Sequence, residues 1–168
     1  MTSVYGYNTP GNMRVFDKRP PPAPKLAGKG SVLEYLKCNS DTTLFMHMVV
    51  LAGLEWLLEG PMFDSTVFVP LDSELTKQYG KAVFVNMTAD TAYQVVKYSI
   101  LKNRIEYWLL STLNYSEIVP HNSHDRITLT NIDGNITLNG NVHVRKMDVV
   151  CANGVILFTD NLLVPVRR

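Results

Sequence analysis

The sequence predicts an α+β fold, in which helices come first and short antiparallel strands follow. Between residues 31 and 113, apolar residues recur mainly at helical spacing. From residue 118 to residue 164 they alternate with polar residues or form short apolar runs. Three dipeptides typical of tight turns divide this second stretch: Asp133-Gly134, Asn139-Gly140 and Asn153-Gly154. Helices and strands do not alternate as βαβ units, which argues against a nucleotide-binding sheet.

Two helices are predicted at the start of the domain. Ser31 is a suitable N-cap for the first, with Glu34 three residues later as its capping-box partner. The second is predicted to begin after Asp41 and to continue until Gly60 and Pro61 stop it. Its apolar residues recur at helical spacing, which indicates a core helix: Leu44, Phe45, Met48, Leu51, Ala52 and Leu58.

The middle of the chain is predicted to contain a buried strand and further helices. Residues 65–69 form a β-branched and aromatic run that Pro70 ends. Asp72 is then expected to cap a short helix, and Thr88 or Asp90 to begin a longer one. A further helical turn is expected near Ile105–Leu113.

Residues 1–30 differ from the rest of the chain because they contain five of the nine prolines and only scattered apolar residues. Pro20–Pro22 and Pro24 favour an extended polyproline conformation, and Lys25–Gly30 is typical of a flexible joint. We therefore predict an extended proline-rich N-terminal arm over residues 1–30 and one globular domain over residues 31–168.

Composition narrows the class of protein. The chain is 46% hydrophobic and 18% charged, as one globular domain should be. Its net charge of +1 gives no field that would attract nucleic acid or an anionic membrane. No apolar run is long enough to span a bilayer or to act as a secretory signal, so synthesis in the cytosol is expected.

Cys38 and Cys151 are expected to be buried thiols in a reducing compartment, with a Cys38–Cys151 bridge as the alternative.

Two stretches resemble segments of the fasciclin domain, an adhesion-associated α+β fold with helices packed on a β-wedge. Residues 65–75, STVFVPLDSEL, are similar to the family's first characteristic segment, a strand followed by proline and an acidic helix start. Residues 148–165, DVVCANGVILFTDNLLVP, are similar to its closing hairpin. The resemblance covers about residues 31–165. It implies a fasciclin-like β-wedge preceded by the arm.

The chain departs from the family pattern at two positions. Residues 96–103 align with the family's tyrosine-histidine segment, but Ser99 stands where the histidine would be. Leu157 occupies the place of the histidine in the closing hairpin. These departures weaken any transfer of receptor binding through the tyrosine-histidine segment.

No catalytic or metal site is predicted. His121, His124 and Asp125 form the only local cluster of such residues, and a solvated turn explains it better than a zinc site; His47 is expected in or near the core. The sequence has no nucleophile elbow and no glycine-rich phosphate loop, so we predict neither enzyme activity nor a cofactor. Sequons for N-glycosylation occur at Asn86, Asn114 and Asn135; without a secretory signal, chance occurrence is the favoured interpretation.

The arm is the predicted partner-binding segment, because aromatic and apolar residues in a segment without a core are typical of docking. The residues expected to contact partners are Tyr5, Tyr7, Arg14, Val15, Phe16, Pro20, Pro21 and Pro22.

The leading hypothesis is a non-enzymatic structural or assembly protein, tethered by its arm to other proteins of a larger assembly. The specific setting is that of a minor capsid protein in the virion of a large DNA virus. The alternative is an extracellular cell-surface or matrix adhesion module, which glycans would support. An enzyme or small-ligand carrier would need a pocket with converging polar groups, and the sequence names none.

Overall fold

The computed structural model describes residues 25–27, 30–61, 63–121 and 125–165. The helices in these ranges are α1 (Val32–Cys38), α2 (Thr43–Ala52), α3 (Glu55–Glu59), α4 (Asp72–Gln78), α5 (Ala82–Val85), α6 (Ala89–Tyr98) and α7 (Tyr107–Leu110). The strands are β1 (Lys25–Ala27), β2 (Ser65–Pro70), β3 (Ile100–Leu101), β4 (Tyr115–Ile118), β5 (Ile127–Ile132), β6 (Asn135–Leu138), β7 (Val142–Cys151) and β8 (Gly154–Thr159). None of the described helices is long and apolar enough to cross a membrane.

The strands form one mixed sheet in the order β3-β2-β8-β7-β6-β5-β4, with β1 added to β7. β2 runs parallel to β8 and β1 runs parallel to β7, whereas the other neighbours are antiparallel. The first part of β7 pairs with β6 and the last part with β1, across a register shift between Val144 and Asp148. Such a shift bends a strand, so β7 joins two differently oriented halves of the sheet. A bridge from Leu101 to Pro120 connects β3 with the residues after β4.

Two hydrophobic cores lie on opposite sides of β8. Ile156 and Phe158 pack with the helices α1–α6, while Val155 and Leu157 pack with the side chains of β5, β6 and α7. β8 is therefore buried on both faces, as expected for an apolar run paired with a parallel neighbour. The predicted α+β class is confirmed, although β1 precedes the helices, β2 and β3 lie among them, and two of the strand pairs are parallel.

Several local predictions are also confirmed. The Ser31 hydroxyl accepts a hydrogen bond from the Glu34 amide at 3.1 Å, and that of Thr88 accepts one from the Thr91 amide at 3.2 Å. Asp133 and Asn139 adopt positive φ angles of 54° and 52° in their turns. These residues follow local rules, so the sequence alone was sufficient to find them.

The second predicted helix is wrong in one respect, because it is two helices. Gly53 has a φ of 71° and ends α2, its amide bonding back to the last turn. α3 then begins at Glu55. A left-handed residue after a helix is a common C-terminal stop, and glycine adopts it without steric cost. The continuous apolar pattern concealed this break.

Asp72 caps a helix, but not the predicted one. It is the first residue of α4, and its carboxylate accepts hydrogen bonds from the amides of Thr43 at 3.0 Å and Leu44 at 2.9 Å, as well as from the Thr43 hydroxyl. In return, the Asp41 carboxylate accepts from the Ser73 amide at 3.1 Å. The starts of α2 and α4 thus cap each other, which fixes the angle between the helices.

The last hairpin turns at Ala152 and Asn153 rather than at Asn153 and Gly154. Neither Asn153 nor Gly154 has a positive φ, so the tight turn predicted at this dipeptide lies one residue earlier. Gly154 is already in β8, where a Cβ atom would lie 2.6 Å from the Ser65 carbonyl oxygen. Glycine is required here by close backbone approach between β8 and β2.

Two burial predictions are wrong: Cys38 and His47 are both exposed. Cys151 is buried as expected, and the two cysteines are not bridged. Burial raises the pKa of the Cys151 thiol to about 11, although the nearby Arg104 charge opposes the shift. At neutral pH this thiol is protonated and a poor nucleophile.

Candidate functional site

The arm residues predicted to bind partners lie outside the described residues. Their role therefore stays a prediction for Tyr5, Tyr7, Arg14, Val15, Phe16, Pro20, Pro21 and Pro22. The structure does place the end of the predicted arm, because Lys25–Ala27 form β1 and pair with Asp148–Val150 of β7. The end of the predicted arm is thus attached to the domain by strand pairing with β7.

An apolar groove with an aromatic rim lies beside α3. We call it the Trp56 groove; it has a volume of about 250 Å³ and is lined by Trp56, Leu57, Gly60, Pro61, Phe63 and His121. Trp56 is 68% exposed on its rim. An exposed tryptophan beside other apolar side chains is unfavourable in water and typical of interfaces.

Asn153 holds the helical wall of this groove in place. Its side-chain amide donates to the carbonyl oxygens of Leu58 and Gly60, both at 2.9 Å, and so fixes the end of α3. Its side-chain oxygen accepts from the amide of Val32 at 2.8 Å. One buried side chain therefore ties the β7–β8 turn to α1 and α3, and the Trp56 groove lies on a rigid support.

His121 forms the polar end of the groove. Its backbone amide donates to the Ile100 carbonyl at 2.6 Å, while its buried Nδ1 has no hydrogen-bond partner among the described residues. Burial, together with the charges of Lys97 and Lys102, holds the pKa of His121 below its usual value. The neutral form of the ring is thus favoured at pH 7, and its Nδ1 is shielded from solvent by the surrounding protein.

A second depression, of about 350 Å³, lies between the start of α6 and the C-terminal segment. It is lined by Asp90, Thr91, Gln94, Val95, Asp125, Val164 and Pro165, without an imidazole or a thiol. In the described part of the chain, no three His, Cys, Asp or Glu residues are grouped as metal ligands would be. His124, one member of the predicted cluster, lies outside the described residues.

The segment that aligns with a family binding motif is structural in this chain. The buried Ser99 hydroxyl donates to the Val95 carbonyl at 2.9 Å, within its own helix. The Tyr98 hydroxyl donates to the Arg126 carbonyl and accepts from the Asn139 amide, both at 2.9 Å. Leu157, at the place of the second histidine, is fully buried. None of these groups is available to a partner.

Sequence reasoning missed the Trp56 groove. It assigned residues 44–58 to a core helix, in which Trp56 would be one more apolar residue. It treated His121 only as part of a loop cluster. The detectable signal was the position of Trp56 two residues before Leu58, since helical residues i and i+2 point about 200° apart and only one of the two can face the core.

Comparisons with known proteins agree with the fold. The family model of the fasciclin domain matches residues 40–165. Among solved structures, the chain is similar to a FAS1 domain pair from the insect cell adhesion molecule Fasciclin I, with a TM-score of 0.64 and 19% identity. That match covers 83% of this chain but 51% of the other, so the chain spans about half its length. No curated protein matches the sequence. The chain belongs to the fasciclin domain family.

Proposed function

We propose that this fasciclin domain is a non-enzymatic module that joins proteins in a larger assembly and docks a partner in the Trp56 groove. Fasciclin domains typically serve in adhesion or as structural modules. The observation that carries the proposal is the 68% exposure of Trp56 on the rim of an apolar groove. Tryptophan is among the residues that contribute most binding energy at protein interfaces.

The chemistry of the groove favours one kind of occupant. Trp56, Pro61 and Phe63 offer apolar contact, and a volume of about 250 Å³ accommodates one or two side chains. The Lys97 and Lys102 charges act on His121 and so lie near the same site. The occupant we propose is an extended apolar segment of another protein that carries a carboxylate.

The arm has a separate role in this proposal. Residues 1–24 tether neighbouring subunits, and the pairing of Lys25–Ala27 with β7 supports it because a tether needs a firm anchor in the domain. A protein shell is the setting we propose, such as the minor capsid layer of a large DNA virus. A rigid block with an anchored N-terminal segment suits subunits that must hold their neighbours.

A second candidate function is adhesion at a cell surface or in a matrix. One observation favours it: the asparagines of all three sequons are exposed, as glycan attachment at Asn86, Asn114 and Asn135 requires. Both candidates use the same kind of docking and differ in the compartment and in the identity of the partner.

The test is cross-linking of the full chain in its native assembly, followed by mass spectrometry. Lys97 and Lys102 should be linked to carboxylates of one partner segment. Binding of that segment should fall about 30-fold in Trp56→Ala, equivalent to the loss of about 2 kcal/mol at a tryptophan hot spot. The matched control is Val50→Ala on α2, another exposed apolar side chain, which should bind normally.

Two results would decide against parts of this proposal. Unchanged affinity in Trp56→Ala would exclude the groove as the docking site. Deletion of residues 1–24, which keeps β1, should leave the domain folded but release it from its neighbours; retention in the assembly would exclude the tether. Partners that are shell proteins support the first setting, whereas surface receptors support adhesion.

A further inference from the structure

Each of the three sequon asparagines lies at an end of a helix or strand. Asn86 directly follows α5, Asn114 directly precedes β4, and Asn135 begins β6 after the tight turn at Asp133 and Gly134. All three asparagines are exposed. Their side chains take part in no hydrogen bond within the described ranges, so each amide is free to be modified.

Most other asparagines in the described ranges behave differently. Five have side chains that hydrogen-bond to the protein, and none of the five lies in a sequon: Asn39, Asn131, Asn139, Asn153 and Asn161. No sequon asparagine is thus held by a side-chain hydrogen bond within the described ranges. Three of the five asparagines there with free side chains lie in sequons, and the other two are Asn103 and Asn141.

Each sequon also adjoins a strongly exposed apolar side chain. The four most exposed large hydrophobic residues of the described chain are Ile132 (70%), Val85 (69%), Trp56 (68%) and Tyr115 (64%). Val85 precedes Asn86, Tyr115 follows Asn114, and Ile132 is directly opposite Asn135 in the β5–β6 ladder. The fourth residue, Trp56, has no sequon beside it. Three of the four exposed apolar side chains are thus paired with a sequon, and the exception is the rim of the Trp56 groove.

Two of the sites lie at the same end of the sheet. The Asn131 amide donates to the Asn114 carbonyl at 2.8 Å, and Asn135 is paired with the next residue of β5, Ile132. Asn114 and Asn135 therefore flank β5, about 10 Å apart at the usual strand spacing. β4 is the last strand of the sheet in the observed order. An open edge of this kind invites pairing with other chains unless something covers it.

We propose that Asn86, Asn114 and Asn135 carry N-linked glycans, which cover Val85, Tyr115 and Ile132 and leave Trp56 as the strongly exposed apolar side chain. The donor is a lipid-pyrophosphate-linked oligosaccharide. The amide nitrogen of asparagine forms a bond to C1 of the first sugar and loses a proton, while the bond from C1 to the pyrophosphate oxygen breaks and the lipid pyrophosphate leaves. This inference favours the second candidate function, because such transfer takes place in a secretory compartment, and it does not depend on partner docking in the groove.

The test uses the full chain isolated from its natural source. Glycans are removed with an amidase in ¹⁸O-labelled water, which converts each glycan-bearing asparagine to labelled aspartate, and the peptides are analysed by mass spectrometry. Label is expected at Asn86, Asn114 and Asn135. Asn103 and Asn141 are the controls, because both are exposed but neither lies in a sequon. An unlabelled asparagine at any of the three positions overturns the assignment for that position.

A second measurement tests whether the glycans cover apolar surface. Removal of the glycans, or the triple change of Asn86, Asn114 and Asn135 to Gln, should raise binding of a hydrophobic dye and self-association at least twofold. The control variant, Asn103→Gln with Asn141→Gln, should leave both unchanged. If the deglycosylated protein binds no more dye than the native one, the covering role is wrong. Neither result changes the expected effect of Trp56→Ala on partner binding, so the two proposals fail independently.

Discussion

The β2–β8 pair and the β4–β6 strands stabilise this domain in different ways. Every residue of β2 and β8 is buried, because helices pack on one side of the pair and the second core on the other. In β5 and β6 buried and more exposed residues alternate, so a single face packs. A substitution at any residue of the first region therefore changes a buried side chain, whereas in the second region only about every other residue is buried.

The largest expected effect comes from a side chain in the two-sided region. Phe68→Ala should lower the free energy of unfolding by about 3–5 kcal/mol, because Phe68 is 1% exposed and its removal leaves a cavity. Ile132→Ala on the outer face of β5 should change it by less than about 0.5 kcal/mol. Urea denaturation of both variants measures the difference. Similar losses in the two variants would contradict the comparison.

An intermediate effect is expected where the buried hairpin meets the helices. Asn153→Ala should cost about 2–3 kcal/mol, since it removes three hydrogen bonds and leaves buried carbonyl and amide groups without partners. Asn141→Ala, at an exposed turn residue, is the matched control and should be nearly neutral. Thermal unfolding of both variants measures this difference. A melting temperature of Asn153→Ala close to that of the control would show that Asn153 does not stabilise the contact between the β7–β8 turn and the helices.

The smallest effect is expected at His121, where the two halves of the sheet come together after Pro120. Its pKa in the folded state lies below the ordinary value of 6.5, so between these two values the unfolded chain binds more protons than the folded one. Stability should therefore fall as the pH decreases below 6.5 and be unaffected by this group above it. His121→Asn should remove that part of the pH dependence. An identical pH profile in the variant would show that burial of His121 does not lower the free energy of unfolding at acidic pH.

The parts of the fold that the sequence predicted are those with short-range causes. Ser31, Thr88 and the turns at Asp133 and Asn139 act on residues within a few positions, and the strand at residues 65–70 is specified by its own composition. The missed features depend on residues far apart in the chain. Asp72 caps a helix that starts 29 residues earlier, and Asn153 bonds to Leu58 across 95 residues.

The candidate site was missed for a related reason. Whether Trp56 faces the core or the solvent depends on where α2 ends and on how α3 packs against α1, and the break at Gly53 sets both. Likewise, His121 lines the groove with Phe63 and Trp56 because the Leu101–Pro120 bridge fixes the residue before it, which is far from α3 in the chain. Residue type alone cannot give exposure at such positions, since periodicity describes one element at a time.

The attachment of β1 to the sheet has a mechanical consequence. Lys25–Ala27 run parallel to the end of β7, and the Gly30 carbonyl accepts the Ala152 amide just beyond them. Tension along the strand axis, applied upstream of Lys25, would load these backbone hydrogen bonds together, in shear. A sideways pull would open them one after another. The β1–β7 pairing should therefore resist separation strongly in one direction and weakly in the perpendicular one, so that the direction of load, as well as its size, decides when β1 detaches.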